Sequence, residues 1–380
     1  MQNPSDILAT AFRRANKSLE QPIIADTQIR KAVQYISTNL RNRAGVRLLM
    51  SCLLAKLHKP KVDVRKPYTQ IKGPDSFSGR SYDEKYITNF INTHNLPCNN
   101  TTAFLTPALR NRNVTLTRDI NLVGRPQTLY TAVLDLLDYV HGHRVSADDL
   151  LAETIRCLII ERNQRDERMK SLIASLEMST DDQPLSSENI INLIYQHKSL
   201  KGTSRLPVLM VAAAYKAAQQ KLGERVLTLA SHNAADVQTG TLGDVEVTLI
   251  DDARVVTSYE MKDRRVTRDD IKRALQKLDI KQVFVDNYIF ITTDTIDEDV
   301  QEYARSLYVE TGGIEFVILD CMSFLRHYLH FFHRLRSNFL EEYQSLILAE
   351  PNSSVSQPLK EAFLSMRQAL EAATTRDDLA

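Results

Sequence analysis

The sequence predicts an α+β protein: a mostly helical N-terminal domain with a long irregular insert, then an α/β domain with a mixed central sheet flanked by helices. Three observations predict it. Apolar residues recur at helical spacing through most of the first two hundred positions. The stretch from Lys59 to Gln127 interrupts them with six prolines and three glycines. From Ser204 onward, short alternating runs suited to strands take turns with helical segments. A chain of 380 residues has room for two or three domains, and the boundaries expected here are 1–200, 201–350, and a linker with a short helix over 351–380.

In the first part, Ile7, Ala11 and Phe12, then Ile29, Val33 and Ile36, then Val46, Leu49, Leu53, Leu54 and Leu57 mark three helices. Leu129, Val133, Leu136, Leu137 and Val140 mark a fourth, and Ser146 with Asp149 three residues later opens a fifth. The insert, about 59–127, shows one clear helix, about Asp83 to His94; long inserts of this kind are usually functional or disordered. In the second part, a helix from about Leu206 to Leu222 precedes a short run, Val226–Ala230. Two alternating runs follow, Asp244–Ile250 and Val255–Lys262. Thr267 then caps a helix with Asp270 completing the box. Strands Asn287–Thr292 and Ile314–Leu319 are separated by a helix near Glu298 to Leu307. A single long helix, about Met322 to Leu348, and the linker Pro351–Pro358 lead to the last helix.

Composition narrows the function classes. Lys plus Arg, 48, against Asp plus Glu, 47, leaves a formal charge of +1. That excludes wholesale basicity of the histone type, but leaves room for a basic surface balanced by acids elsewhere. Cys52, Cys98, Cys157 and Cys321 form no CxxC pair, so neither a disulfide framework nor a thiolate zinc site is indicated. The opening Met1-Gln-Asn-Pro-Ser-Asp lacks a basic segment followed by an apolar one, and no apolar run approaches the ~20 residues that span a bilayer. A soluble, intracellular protein without membrane partners is expected.

The chemistry sits in the pair of runs ending in Ile250 and beginning at Val255. Asp251-Asp-Ala253 makes a three-residue turn, so facing positions should sum to 504. Asp244 then faces Glu260, and alternation sends Asp244, Glu246, Glu260 and Lys262 to one face and Val245, Val247, Tyr259 and Met261 to the other. Two facing carboxylates repel unless a cation lies between them. Mg²⁺ accepts one or two carboxylates together with water and substrate phosphate. Asp244 and Glu260 are therefore the candidate metal ligands, with Glu246 a third, and Lys262 can approach bound water or phosphate. An acid followed by acid–x–lysine at the end of the next strand, in a helix–strand–strand–strand–helix–strand frame, is the PD-(D/E)xK nuclease pattern. From these residues alone, a solvated strand face carrying an ion pair is an equal reading.

Further residues carry a resemblance. Ser204-Arg-Leu-Pro-Val-Leu, Ala235-Asp236, Gly240, Gly243-Asp-Val-Glu-Val and Glu260-Met-Lys resemble the SacI family of type II restriction endonucleases. So does an upstream block, Gly79-Arg-Ser-Tyr-Asp-Glu-Lys85 and Leu96-Pro-Cys-Asn-Asn-Thr-Thr-Ala-Phe-Leu-Thr-Pro-Ala-Leu-Arg110. The resemblance runs from about Tyr68 to Leu319. It implies a bacterial, cytoplasmic, Mg²⁺-dependent enzyme of restriction-modification and phage defence, with a cognate DNA methyltransferase as functional partner. Such an enzyme cuts double-stranded DNA at a short site, a palindrome such as GAGCTC or a relative. Asp244, Glu260 and Lys262 match the catalytic triad, although Gly243 stands where the motif has proline. A palindromic site is cut on both strands by two copies of one active site, which implies a homodimer. A structure-specific repair or junction-resolving nuclease, or an inactive nuclease-fold DNA-binding protein, are the alternatives.

DNA-binding candidates lie in the insert. Lys59 and Lys61 belong to a basic run with Lys56, Arg65, Lys66 and Lys72, and Arg110, Arg112, Arg118 and Arg125 form a second. Arg80 lies in the upstream block, and Asn99, Asn100 and Thr101 suit base edges, though a turn explains them equally well. Solvated loop charge is the plain reading of any one of these cations. His327, His330 and His333 step around a helix without converging, so they are read as a polar or partly packed helix face rather than a metal site.

Overall fold

The computed structural model describes residues 3–39, 44–71, 73–99, 102–177, 185–229 and 241–377. They form two compact units, residues 1–168 and 169–380, and the division falls inside one helix, Ala147–Glu177, rather than at 200. In the first unit, α1 (Pro4–Lys17), α2 (Thr27–Thr38), α3 (Ala44–His58) and α6 (Gln127–His141) share one core with the start of α7 (Ala147–Glu177). The central helix is α3. Every residue from Ala44 to Ala55 is buried, including Arg47, so it presents apolar surface on all sides. The insert is folded onto this core through Phe77, Tyr82, Phe104, Leu109 and Leu116. Its expected helix is three joined pieces: α4 (Gly79–Tyr82), a π-turn Asp83–Ile87 and α5 (Thr88–Thr93). Asp83 explains the widened turn. Its carboxylate is held by the buried Arg47 at 2.8 Å and by Thr102 and the Ala103 N–H, while its carbonyl takes both the Thr88 N–H and hydroxyl.

The second unit carries a five-stranded mixed sheet in the order β1-β2-β3-β4-β5: Glu224–Val226, Val245–Leu249, Val255–Lys262, Asn287–Thr292 and Glu315–Asp320. The first two pairings are antiparallel and the last two parallel. Parallel pairing needs crossovers, supplied by α10 (Arg268–Lys281) and α11 (Glu298–Glu310). These cover one face, packing Ile271, Ala274, Leu278, Val300 and Leu307 on Tyr288, Phe290, Phe316 and Ile318. The other face, with Val245, Val247, Tyr259 and Ile291, packs on α8 (Ser187–Lys198), α9 (Leu206–Leu222), α12 (Cys321–Phe331), α13 (Arg336–Ala349) and α14 (Gln357–Asp377).

Local rules set most boundaries. Thr267 and Asp270 form the expected capping box of α10. The Gly223 C-cap in the left-handed region ends α9. Two elements differ from expectation. Of the strand expected over 226–230, only Val226 lies in the observed strand, Glu224–Val226, with the Leu227 N–H still donating to the Glu246 carbonyl; Ala230 lies outside the described residues. The single helix expected over 322–348 is instead two, α12 and α13, separated at Phe332 and the 3₁₀ turn His333–Leu335, with the Ser187 hydroxyl donating to the Leu329 carbonyl just before the break. The last helix is no appendage: Leu359, Phe363 and Leu364 are buried in the second unit's core.

Candidate active site

The β2–β3 hairpin has the expected register, Val245 opposite Tyr259, Glu246 opposite Ser258 and Val247 opposite Thr257, until a bulge pairs Thr248 with Val255. Alternation also holds: Val245, Val247 and Tyr259 enter one core, while Glu260 and Lys262, in register with Phe290 and Thr292, leave from the other face. At the head of β2 the chain comes unusually close to β3. A Cβ on Gly243 would stand 2.4 Å from the Tyr259 carbonyl oxygen and 2.6 Å from Ser258 Oγ. This closeness accounts for glycine, rather than proline, before Asp244. The Asp244 N–H donates to the Tyr259 carbonyl at 2.7 Å, and its Oδ2 accepts the Met261 N–H at 2.8 Å. The Asp244 carboxylate thus sits at the peptide joining Glu260 to Met261.

Glu260 is largely buried and held at both oxygens. Lys262 Nζ lies 2.5 Å from Oε1, and the Tyr288 hydroxyl lies 2.5 Å from Oε2, with Lys277 Nζ at 3.7 Å from the same oxygen. Lys262 in turn lies 3.7 Å from Asp270 Oδ1. Burial works against the charge of Asp270, but hydrogen bonds from Arg264, Thr267 and Arg273 outweigh it and hold that carboxyl far below the usual carboxylate range. Glu246 is turned elsewhere: its Oε1 accepts the Leu242 N–H at 2.6 Å. The hairpin therefore pairs Lys262 with Glu260, sets the Asp244 carboxylate on the Glu260–Met261 peptide, and commits Glu246 to the backbone before β2.

Among the described residues no group of three or more Asp, Glu, His or Cys side chains is arranged to hold a metal. The donor set on the hairpin is two carboxylates, Asp244 and Glu260. That number suits Mg²⁺, which retains several waters and takes substrate phosphate oxygens to complete its octahedron. It does not suit a cage of protein ligands.

Sequence reading missed Tyr288, Lys277 and the role of Asp270 beyond capping. The signal was present in α10: Asp270, Arg273, Lys277 and Lys281 recur at steps of three and four, a polar stripe beside the apolar one. Tyr288 carried no such signal, since alternation alone makes it a core aromatic.

The insert candidates belong to the first unit and differ among themselves. Arg118 is engaged by Asp135 and Asp138, both at 3.1 Å, and lies over the Tyr139 ring. Arg80 pairs with Glu84 at 2.7 Å, and Arg112 donates to the Ala108 carbonyl at 3.2 Å. The Asn99 carbonyl accepts from Arg47 at 2.6 Å. Lys59, Lys61 and Arg110 are exposed. Asn100, Thr101 and Lys72 lie outside the described residues, as do Ala235, Asp236 and Gly240. Arg326 and His330 both pair with Glu188 at 3.1 Å, and His327 stacks on Phe331, which bears out a polar helix face.

Residues 185–293 match the family model described as the SacI restriction endonuclease C-terminal domain. The match runs from just before α8 to the end of β4, so it includes Asp244, Glu260, Lys262 and Tyr288 and leaves out the upstream block that begins at Gly79. No curated protein matches the chain.

Proposed function

We infer, taking as premise that this chain is a SacI-family restriction endonuclease, that it is a type II enzyme with a PD-(D/E)xK centre. It hydrolyses phosphodiester bonds in double-stranded DNA at a short palindromic site and requires Mg²⁺. The observation that carries this reading is the hairpin geometry: the Asp244 carboxylate lies on the Glu260–Met261 peptide and Lys262 Nζ lies 2.5 Å from Glu260. Asp244 and Glu260 would hold the Mg²⁺, which when bound supplies charge neutralisation at the phosphate and acidifies water. Lys262, its ammonium oriented between Glu260 and Asp270, holds the attacking water or a phosphate oxygen and takes part in moving the water's proton. Sequence readout is assigned to the insert, with Arg110, Lys59 and Lys61 as the exposed cations open to DNA. Arg80, Arg112 and Arg118 would have to exchange existing partners to reach it. A methyltransferase that protects the same site completes the system.

The test is incubation with plasmid. Discrete fragments in Mg²⁺, none in EDTA, and binding without cleavage in Ca²⁺ are expected, because Ca²⁺ fits the oxygen donors but activates water poorly. Full cleavage in chelator would overturn the metal assignment. Cleavage confined to branched DNA would favour a junction-resolving nuclease.

A further inference from the structure

Tyr288 is a fully buried aromatic near the start of β4, stacked on Phe316 with centroids 5.6 Å apart and packed against Phe290 at 5.2 Å. Phenylalanine would fill this place equally well, so packing alone does not explain the hydroxyl. A buried phenol needs a hydrogen-bond partner. Here the hydroxyl lies 2.5 Å from Glu260 Oε2 and 2.9 Å from the Leu242 carbonyl oxygen. The first distance is that of a charge-assisted O–H···O⁻ bond. Tyr288 is in register with Ser258 and Glu260 with Phe290, so the two side chains are diagonal neighbours on one face. Leu242 also gives its N–H to Glu246 at 2.6 Å, and two residues later comes Asp244. The phenol has one proton, so it donates to only one of these two acceptors; the shorter contact gives that proton to Glu260, and the Leu242 carbonyl is a close neighbour on the backbone that leads into Asp244.

We propose that Tyr288 is a positioning residue of the Asp244–Glu260 pair. Its hydroxyl, donating to Oε2, fixes the Glu260 carboxylate in the orientation that receives a divalent cation. The proposal rests on the nuclease reading above. Partners of this kind, one step out from the ligands, set ligand orientation and affect metal affinity more than the fold.

The test uses the full chain with three substitutions: Tyr288→Phe, Glu260→Gln, and Phe290→Leu as a packing control that leaves the hydroxyl in place. Ca²⁺ binding is followed by calorimetry, and steady-state cleavage is measured in Mg²⁺. Tyr288→Phe should weaken Ca²⁺ binding and lower kcat by about tenfold, with KM for DNA unchanged, whereas Phe290→Leu should lower thermal stability without moving Ca²⁺ affinity. Wild-type Ca²⁺ affinity and kcat in Tyr288→Phe, with both lost in Glu260→Gln, would overturn the role of Tyr288 and leave the nuclease reading standing. Wild-type behaviour of Glu260→Gln itself would overturn both.

Discussion

At the scale of residues, the hairpin separates carboxylates that the sequence treats alike. Glu246 and Glu260 both lie in the runs flanking the turn, and alternation assigns them to one face. The structure gives Glu246 to the Leu242 N–H and Glu260 to Lys262 and Tyr288. Glu260→Ala should therefore lower cleavage by orders of magnitude and Glu246→Ala far less, measured as single-turnover rates in Mg²⁺. Equal losses would make Glu246 a third ligand. Gly243→Ala places a methyl group against the Tyr259 backbone, where no side chain can yield. It should cost about 1–3 kcal/mol, the range of overpacked sites, seen as a lower urea midpoint. The register that sets Asp244 beside the strand of Glu260 and Lys262 was legible because strand period and turn length together fix it. Tyr288 and Lys277 were not, because their relation to Glu260 arises from parallel pairing and a crossover helix, which no local period encodes.

At the scale of elements, legibility followed local chemistry. The α10 capping box, the β3 and β4 strands and the α9 C-cap all carry their cause within a few residues. The break at Phe332 was hidden, since no proline or glycine marks it in the sequence. The π-turn of the insert was also hidden, since Asp83 is held by Arg47, buried on α3 and distant in sequence. Another long-range tie is His197 on α8, fully buried, with Nε2 donating to the Leu359 carbonyl at 3.0 Å beside α14. Burial pushes its pKa down from 6.5 to about 4. Between those values the unfolded chain binds a proton that the folded chain refuses, so stability is complete above about 6.5 and is lost as pH falls toward 4. The shift corresponds to about 3 kcal/mol. Chemical denaturation of the full chain across this window should show stability falling with acidity, and His197→Gln should flatten that slope. A slope that survives the substitution would assign the pH dependence to other groups.

At the scale of the whole molecule, no helix among the described residues is long and apolar enough to cross a membrane. Each chain carries one Asp244–Glu260–Lys262 set, and a palindromic site offers two equivalent scissile bonds. Sedimentation of the protein–DNA complex in Ca²⁺ should thus show two protomers per site, with both strands cut at matched rates once Mg²⁺ is added. One protomer per site with lasting nicks would contradict the dimer. Arg110→Ala should either relax site choice, as a base contact does, or weaken binding uniformly with a shallower salt dependence, as a phosphate contact does. The central claim is that the β2–β3 hairpin is a metal-dependent phosphodiesterase centre. Its most direct measurement is the single-turnover cleavage rate of cognate plasmid by Lys262→Ala, compared with wild type at saturating Mg²⁺ and with DNA binding checked in Ca²⁺. The account predicts retained binding and a rate lower by ~10²-fold or more. Wild-type cleavage by Lys262→Ala would contradict it and return Lys262 to an ordinary ion pair on the strand.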